Sequence, residues 1–275
     1  MQWVWKILLF IGVFYVGLAL LLYFLQRKMV FSPDPTYVAP ELVDVQGLVE
    51  VELRSAKGHK LVNWYVPAQP GQPTLLFFHG NGGNVANRED KFRQLTARGL
   101  GVFMLGYRGF GGSEGQPSEA AFVEDARVAY DHLIGAGIGP ETIVIYGESI
   151  GTSVAVQLAA TVKNAGVILE APMYSVLSIA EDRYPFFFVG MFLRDKFETN
   201  KHINNNHSPL LILHGDEDGI IPLASGQRLF AAANEPKRFH VVNGGAHNNL
   251  YEFPIVEEIV QFLQEDVVPT RSLTR

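Results

Sequence analysis

The sequence predicts an α/β fold: a mostly parallel, doubly wound sheet with an antiparallel hairpin on its N-terminal side, preceded by one transmembrane helix. Three observations lead to this prediction. An uncharged stretch of 19 residues lies near the N-terminus, two alternating segments follow it, and short apolar runs separated by helical patterns fill the rest of the chain. Continuous apolar runs of this length are typical of parallel strands buried on both faces of a sheet.

The composition narrows the class of protein. A chain of 275 residues with 48% apolar content can build a sizeable core. The net charge of −6 gives no basic patch, so nucleic acid is not predicted as a partner. Because the sequence contains no cysteine, disulfides, zinc–thiolate sites and a cysteine nucleophile are excluded.

The uncharged stretch runs from Ile7 to Leu25 and is long enough to cross a bilayer as a helix. We predict a membrane anchor over residues 1–28. A cleavable signal peptide is the alternative, but the following "LYFLQRKMVF" lacks a small-x-small cleavage site. Lys6 and the chain's amino terminus nearly balance Arg27 and Lys28 under the positive-inside rule. We expect an extracytoplasmic domain because the N-terminal tail is short. A phosphatase-type reporter fused to the C-terminus should then be active, and an inactive reporter would contradict this orientation.

Proline-rich chain separates the anchor from the folded domain. "FSPDPTYVAP" has three prolines in ten residues and predicts a linker over residues 29–39. The domain is then expected over residues 40–267. "VEVELRS" and "KLVNWYV" alternate in part around "AKGH", which predicts an antiparallel hairpin.

The remaining chain alternates between predicted strands and helices. Apolar positions at helical spacing include Phe122, Ala126, Ala129 and Leu133. The predicted strands are "TLLFFH" (74–79), "GVFMLGY" (101–107), "TIVIYG" (142–147), "GVILEA" (166–171), "PLLILHG" (209–215) and "KRFHVVN" (237–243). In sheets of this kind functional groups lie at the carboxyl ends of the strands, so the residues after each run are the candidates for a site.

The most informative of these ends is "GESIG", Gly147 to Gly151, which fits GxSxG between a strand and a helix. A turn this tight leaves no room for side chains at its flanks, which explains the two glycines. Ser149 is therefore predicted as a nucleophile, and the N–H of Ile150 at the helix start as an oxyanion donor. A glycine-rich helix start with Ser149 as an N-cap is the alternative.

A second glycine-rich loop, "FFHGNGGN", follows the first predicted parallel strand. Its backbone can approach a ligand closely, so we predict that the Asn81 N–H completes the oxyanion hole; the Gly82 N–H is the second candidate. We interpret His79 as a structural residue at the strand end. A flexible strand-to-helix loop is the alternative.

Two further strand ends carry an acid and a base. "LILHGDEDGIIP" offers Asp216, Glu217 and Asp218, any of which could orient a histidine, although acidic residues in turns are usually turn formers. "VVNGGAHNNL" places His247 after the last strand, following the serine and the acids in chain order. That order, serine then acid then histidine, is one known triad order.

These motifs together resemble the α/β-hydrolase superfamily, and within it the Bem46-like, ABHD13-like group of membrane-anchored serine hydrolases. The resemblance covers residues 40 to 265 through "HGNGGN", "YRGFGGSEGQPSE", "GESIG", "LHGDEDGIIP" and "GGAHNN". It implies an α/β-hydrolase fold with Ser149, Asp218 and His247 as the catalytic triad. The sequence departs from the family at Gly106, where an aspartate is usual, at Ala246, where a glycine is usual, and at Thr152, where a glycine is frequent.

No cofactor or metal is predicted. The sequence contains no GxxxxGK[ST] loop and no convincing metal cluster, and in "GYRGFGGSEG" Glu114 replaces the third glycine of a dinucleotide fingerprint. We interpret Arg108 of this loop as a structural tie, with direct substrate contact as the alternative.

Residues 172–208 are too long for an ordinary crossover and contain "YPFFFVGMFL". We interpret them as a lid whose aromatic side chains line an acyl pocket or touch the bilayer or, alternatively, as a crossover helix packed on the sheet. The predicted function is a serine esterase, cleaving carboxylic esters or thioesters of a small-molecule or lipid-like acyl substrate through an acyl-enzyme. An amidase or peptidase with the same triad and a non-catalytic membrane scaffold are the alternatives.

Overall fold

The fold is organised around one eight-stranded sheet, seen in a computed structural model that describes residues 2–267. The strand order is β10-β9-β8-β7-β4-β6-β3-β2, and only the pairings of β3 with β2 and β6 are antiparallel. A separate parallel pair joins β1 to β5. The strands are β1 (Ser32–Pro33), β2 (Val49–Arg54), β3 (Lys60–Val66), β4 (Thr74–Phe78), β5 (Gly82–Gly83), β6 (Gly101–Leu105), β7 (Ile143–Glu148), β8 (Gly166–Glu170), β9 (Leu210–Gly215) and β10 (Lys237–Val242).

Helices cover both faces of the sheet, which confirms the predicted doubly wound architecture. The helices are α1 (Gln2–Val30), α2 (Glu89–Thr96), α3 (Glu119–Gly135), α4 (Gly151–Ala159), α5 (Val176–Arg183), α6 (Val189–Phe192), α7 (Leu223–Ala232) and α8 (Ile255–Phe262). One core lies against α3, α4 and α7 and the other against α2 and α8. Successive side chains of a strand point to opposite faces, so Phe77 enters one core and Phe78 the other. All six predicted parallel runs and the predicted hairpin contain strands at the expected places.

The segment predicted as a linker is held on the domain. The Phe31 side chain is buried, and its ring contacts the rings of Phe122 and Phe197 edge-on. Immediately after it, the Ser32 N–H donates to the Asn81 carbonyl at 3.2 Å, which starts the β1–β5 pairing. The end of α1 is thereby fixed against the glycine-rich loop after β4.

Residues 172–208, called the cap below, connect β8 to β9. Neither α5 nor α6 contains a buried residue, so these helices do not pack on the sheet as a crossover helix does. Three large apolar side chains of the cap, Phe186, Phe188 and Met191, are between 74% and 79% exposed. The cap instead contacts α1 and lies above the carboxyl ends of the strands.

Candidate active site

The turn between β7 and α4 holds Ser149 in a strained backbone conformation. Its φ is 54°, in the left-handed region that a non-glycine residue adopts only when the surroundings enforce it. A Cβ on Gly147 would lie 2.6 Å from the Gly151 carbonyl oxygen, and a Cβ on Gly151 would lie 2.1 Å from that of Phe78. Both glycines are therefore required by backbone contacts, and the turn places the Ser149 hydroxyl at the end of the central strand.

The Ser149 hydroxyl meets the two other residues predicted as its partners. It donates to His247 Nε2 at 3.1 Å, and His247 Nδ1–H donates to Asp218 Oδ2 at 2.7 Å. The three residues come from the loops after β7, β9 and β10, which end at the same edge of the sheet. This arrangement can transfer a proton from the hydroxyl to the imidazole while the carboxylate holds the ring.

Asp218 is fixed on its other side as well. Its Oδ1 accepts hydrogen bonds from the Ile220 and Ile221 N–H groups, each at 2.8 Å, and His214 Nε2 lies 3.5 Å from Oδ2. Burial alone would raise the pKa of this carboxyl, but the hydrogen bonds from His214, His247 and the Ile221 N–H outweigh it. The resulting pKa lies well below its usual range, so Asp218 is an anion beside the imidazole at neutral pH. Neighbouring Asp216 has a different partner, because its Oδ1 accepts the Gly244 N–H.

Asn81 and Ile150, the two predicted oxyanion donors, line the same cavity as Ser149 and His247. In the described part of the chain neither backbone N–H donates to another protein group, so both are free for a ligand. Asn81 is held from behind, since its side chain donates to the Val30 carbonyl at 2.6 Å and its carbonyl accepts from Ser32. The end of α1 therefore positions this loop.

A buried charge cluster beneath Ser149 was not anticipated from the sequence. Glu148 accepts from Arg88 Nη2 and from Lys91 Nζ, both at 2.9 Å, and Lys91 also donates to Glu170 at 2.7 Å. Burial alone would raise the pKa of Glu148, but Lys91 and Arg88 outweigh it and hold that pKa well below its usual range. Arg88 Nη1 also donates to the Gly82 carbonyl at 2.6 Å. The cluster thus connects the glycine-rich loop that contains Asn81 to Glu148, the residue before Ser149. Its only signal in the sequence was the pair of basic residues, Arg88 and Lys91, that follows this loop.

His79 lies inside the domain rather than at the site surface. Its ring is fully buried beside the rings of Tyr107 and Phe110, and Nδ1–H donates to the Gly80 carbonyl at 2.7 Å. Arg108, in the loop after β6, forms buried hydrogen bonds to Asp125 at 2.6 to 3.0 Å. Both residues therefore have structural contacts in this fold.

Acid is expected to destabilise the protein through His79. Burial, together with the charge of Arg88, lowers the pKa of His79 to about 3 from 6.5. Between these values the unfolded chain binds a proton that the folded protein does not, so stability falls as pH drops below about 6.5. From about pH 7 to about pH 5 the free energy of unfolding should lose roughly 2 kcal/mol through this group. Urea unfolding of wild type and His79→Gln in detergent measures it; equal losses in both proteins would contradict the assignment.

The described residues, 2–267, contain no group of three His, Cys, Asp or Glu side chains placed to hold a metal ion.

Comparison with known proteins places the fold among α/β hydrolases. Esterase Pf2001 of Pyrococcus furiosus superimposes with a TM-score of 0.70 at 18% identity, covering 86% of this chain and 97% of the esterase. The family model described as serine aminopeptidase, S33, matches residues 69–194.

Two relatives share more of the sequence. The uncharacterised protein Rv2307c of Mycobacterium tuberculosis is 33% identical over 92% of each chain. Human α/β hydrolase domain-containing protein 17B is 33% identical over 78% of this chain and 75% of its own length. The chain belongs to the α/β-hydrolase superfamily and is a hydrolase of that superfamily.

Proposed function

We propose that this hydrolase is a serine esterase that cleaves carboxylic esters or thioesters through an acyl-enzyme. Ser149 is the nucleophile, His247 the general base and Asp218 the residue that orients the base. The observation that carries the proposal is the hydrogen-bonded chain from Asp218 through His247 to the strained Ser149 turn, which opens into a cavity of about 940 Å³. The narrower Bem46-like assignment stays a prediction.

The reaction follows from the direction of these hydrogen bonds. Ser149 Oγ attacks the ester carbonyl carbon while its proton passes to His247 Nε2, and the carbonyl electrons move to the oxygen. The N–H groups of Asn81 and Ile150 are proposed to stabilise that oxyanion. Collapse of the intermediate expels the alkoxide or thiolate, which takes the proton from His247, and water then hydrolyses the acyl-enzyme by the same steps in reverse.

The cavity favours an ester over the peptide substrate that the name of the matching family model suggests. An aminopeptidase needs a carboxylate to bind the charged amino group of its substrate. Two carboxylates line the cavity among the described residues, and the one next to Ser149, Glu148, is neutralised by Arg88 and Lys91. The other, Asp34, is held by the Asn84 amide and the Thr36 N–H. The remaining lining is predominantly apolar, as in a site for an acyl chain.

The proposed chain organisation is a membrane anchor over residues 1–28, a linker over 29–39 and a hydrolase domain over 40–267 that includes the cap as its lid. Two observations support the anchor: α1 is 29 residues long, and none of its residues is buried in the protein. Its apolar side chains are therefore available to contact lipid. The extracytoplasmic orientation of the domain stays a prediction.

A fluorophosphonate probe tests the nucleophile, because it phosphonylates an activated serine. The full-length protein in detergent should take up one phosphonyl group, mapped by mass spectrometry to the peptide containing Ser149, and Ser149→Ala should take up none. Esters should then be hydrolysed at least tenfold faster than the matching aminoacyl amides. Labelling at another residue, or faster amide cleavage, would contradict the proposal.

A further inference from the structure

The cavity next to Ser149 has a wall that does not belong to the hydrolase domain. Six residues of α1 line it, and they recur every three or four positions, so they form one stripe along the helix. They are Ala19, Leu22, Tyr23, Gln26, Met29 and Val30. From Ala19 to Val30 the stripe extends about 16 Å along the helix axis.

Polar contacts hold the cap to the end of this helix. Arg27 Nε donates to the buried Asp195 carboxylate at 2.9 Å. Arg194 donates its backbone N–H to Gln26 Oε1 and its Nη2–H to the Tyr23 hydroxyl, both at 2.7 Å. The cap and α1 are therefore joined at the charged end of the helix, with the cavity beneath the junction.

Further towards the N-terminus of α1, Tyr15 makes both a polar and an aromatic contact with the cap. Its hydroxyl donates to the Phe186 carbonyl at 2.5 Å. The rings of Tyr15 and Phe187 stack with centroids 5.3 Å apart. Tyr15 precedes Leu25, the last residue of the uncharged stretch, by ten positions, or about 15 Å of helix. If the uncharged stretch spans a hydrocarbon core of roughly 30 Å, Tyr15 lies near the middle of the bilayer. Phe187 of the cap, which stacks on Tyr15, then also lies about one leaflet deep.

The outer surface of the cap is apolar, as a surface within a lipid leaflet would be. Phe186, Phe188 and Met191 are at least 74% exposed. In water such a cluster would be an unusual apolar patch, whereas lipid chains would solvate it. Ala19 and Leu22, on the cavity wall, lie within the same uncharged stretch.

We infer that α1 is one wall of the acyl-chain subsite and that the substrate is a long-chain ester resident in the bilayer, whose hydrocarbon tail enters sideways between α1 and the cap. The tail lies along the stripe from Ala19 to Gln26 and the ester carbonyl reaches Ser149. This inference rests on the proposed function. Withdrawing such a tail into water costs about 0.8 kcal/mol per methylene. A path from the leaflet to Ser149 whose lining is mostly apolar, with Gln26 and Arg183 among its polar residues, avoids most of that cost.

Two adjacent leucines of α1 provide a matched test. Leu22 lines the cavity, whereas Leu21, which is 53% exposed, does not. With the full-length protein in phospholipid vesicles, kcat/KM is measured for p-nitrophenyl palmitate and p-nitrophenyl butyrate. Leu22→Trp should lower the palmitate-to-butyrate ratio at least tenfold, and Leu21→Trp should keep it within twofold. The rate of fluorophosphonate labelling shows whether each variant has folded, and Ala19→Phe, which narrows the same path, is the substitute for a misfolded Leu22→Trp.

The source of the substrate is tested by where the palmitate ester is supplied. Ester in the same vesicles as the enzyme should be hydrolysed at least tenfold faster than ester in separate vesicles. Equal rates for ester in the same and in separate vesicles would overturn the inference. So would equal palmitate-to-butyrate ratios in the Leu22 and Leu21 variants. In either case, hydrolysis of the butyrate ester would still support the proposed esterase. Wild type that cleaves neither ester would overturn both.

Discussion

Ser149→Ala and His247→Gln are each expected to lower kcat by about a million-fold, and the double variant should be no slower than either one. The reason is that the hydroxyl and the imidazole act in one step: Oγ can attack only as its proton moves to Nε2, which lies 3.1 Å away. Once either Ser149 or His247 is replaced, that step cannot occur, so replacing the second residue should not lower kcat further. Steady-state hydrolysis of a short-chain ester measures all three variants.

Ser153→Ala is the control for this comparison. Ser153 lies four residues further along, is buried within α4, and its hydroxyl accepts from Gln157 Nε2 at 3.3 Å, so its removal should change kcat by less than about threefold. Two single losses that multiply in the double variant would mean that Ser149 and His247 act in separate steps, and the triad assignment would be wrong.

Asp218→Asn is expected to lower kcat by about ten-thousand-fold without unfolding the protein. The asparagine oxygen would keep the hydrogen bonds from the Ile220 and Ile221 N–H groups, which leaves its NH₂ facing His247 Nδ1. An NH₂ there requires an unprotonated Nδ1, so the proton moves to Nε2. His247 can then no longer accept the proton of Ser149.

Asp216→Asn makes the same change two residues away. Within residues 2–267 the Asp216 side chain accepts one N–H, from Gly244, and asparagine can accept it as well, so kcat should stay within about twofold of wild type. Similar losses in both variants would indicate a general effect of charge in this loop, and an unchanged Asp218→Asn enzyme would exclude Asp218 as the orienting acid. The thermal midpoint of each variant, measured alongside, separates catalytic loss from unfolding.

The sequence predicted the elements of the fold well because their signals are local. Alternation, continuous apolar runs and helical spacing depend on neighbours within one segment, and they located the hairpin, the six parallel strands and α3. The same holds for the turn at Ser149, whose two glycines are required by contacts with adjacent backbone. Between Asp216, Glu217 and Asp218, however, the residues alone left the choice open, and it was the family resemblance that selected Asp218.

One departure from the family has a reason visible only in the fold. A Cβ on Gly106 would lie 1.9 Å from the Val62 carbonyl oxygen of β3, so no side chain fits there in this chain. The Gly106 N–H instead donates to the Asn63 side chain at 3.1 Å.

By itself the sequence determined the α/β class, the order of strands and helices, the apex serine and the span-length apolar helix, since each depends on residues close together in the chain. The tertiary structure decided contacts that no motif predicted: Glu148 with Arg88 across 60 positions and Arg27 with Asp195 across 168. Ser149 and His247, 98 positions apart, were predicted as partners only through chain order and the family resemblance. Such contacts depend on strand order and on how loops pack at one edge of the sheet, and local periodicity carries no information about either. For the same reason α1 could be predicted as a helix of membrane length, but its place as a wall of the cavity beside Ser149 could not.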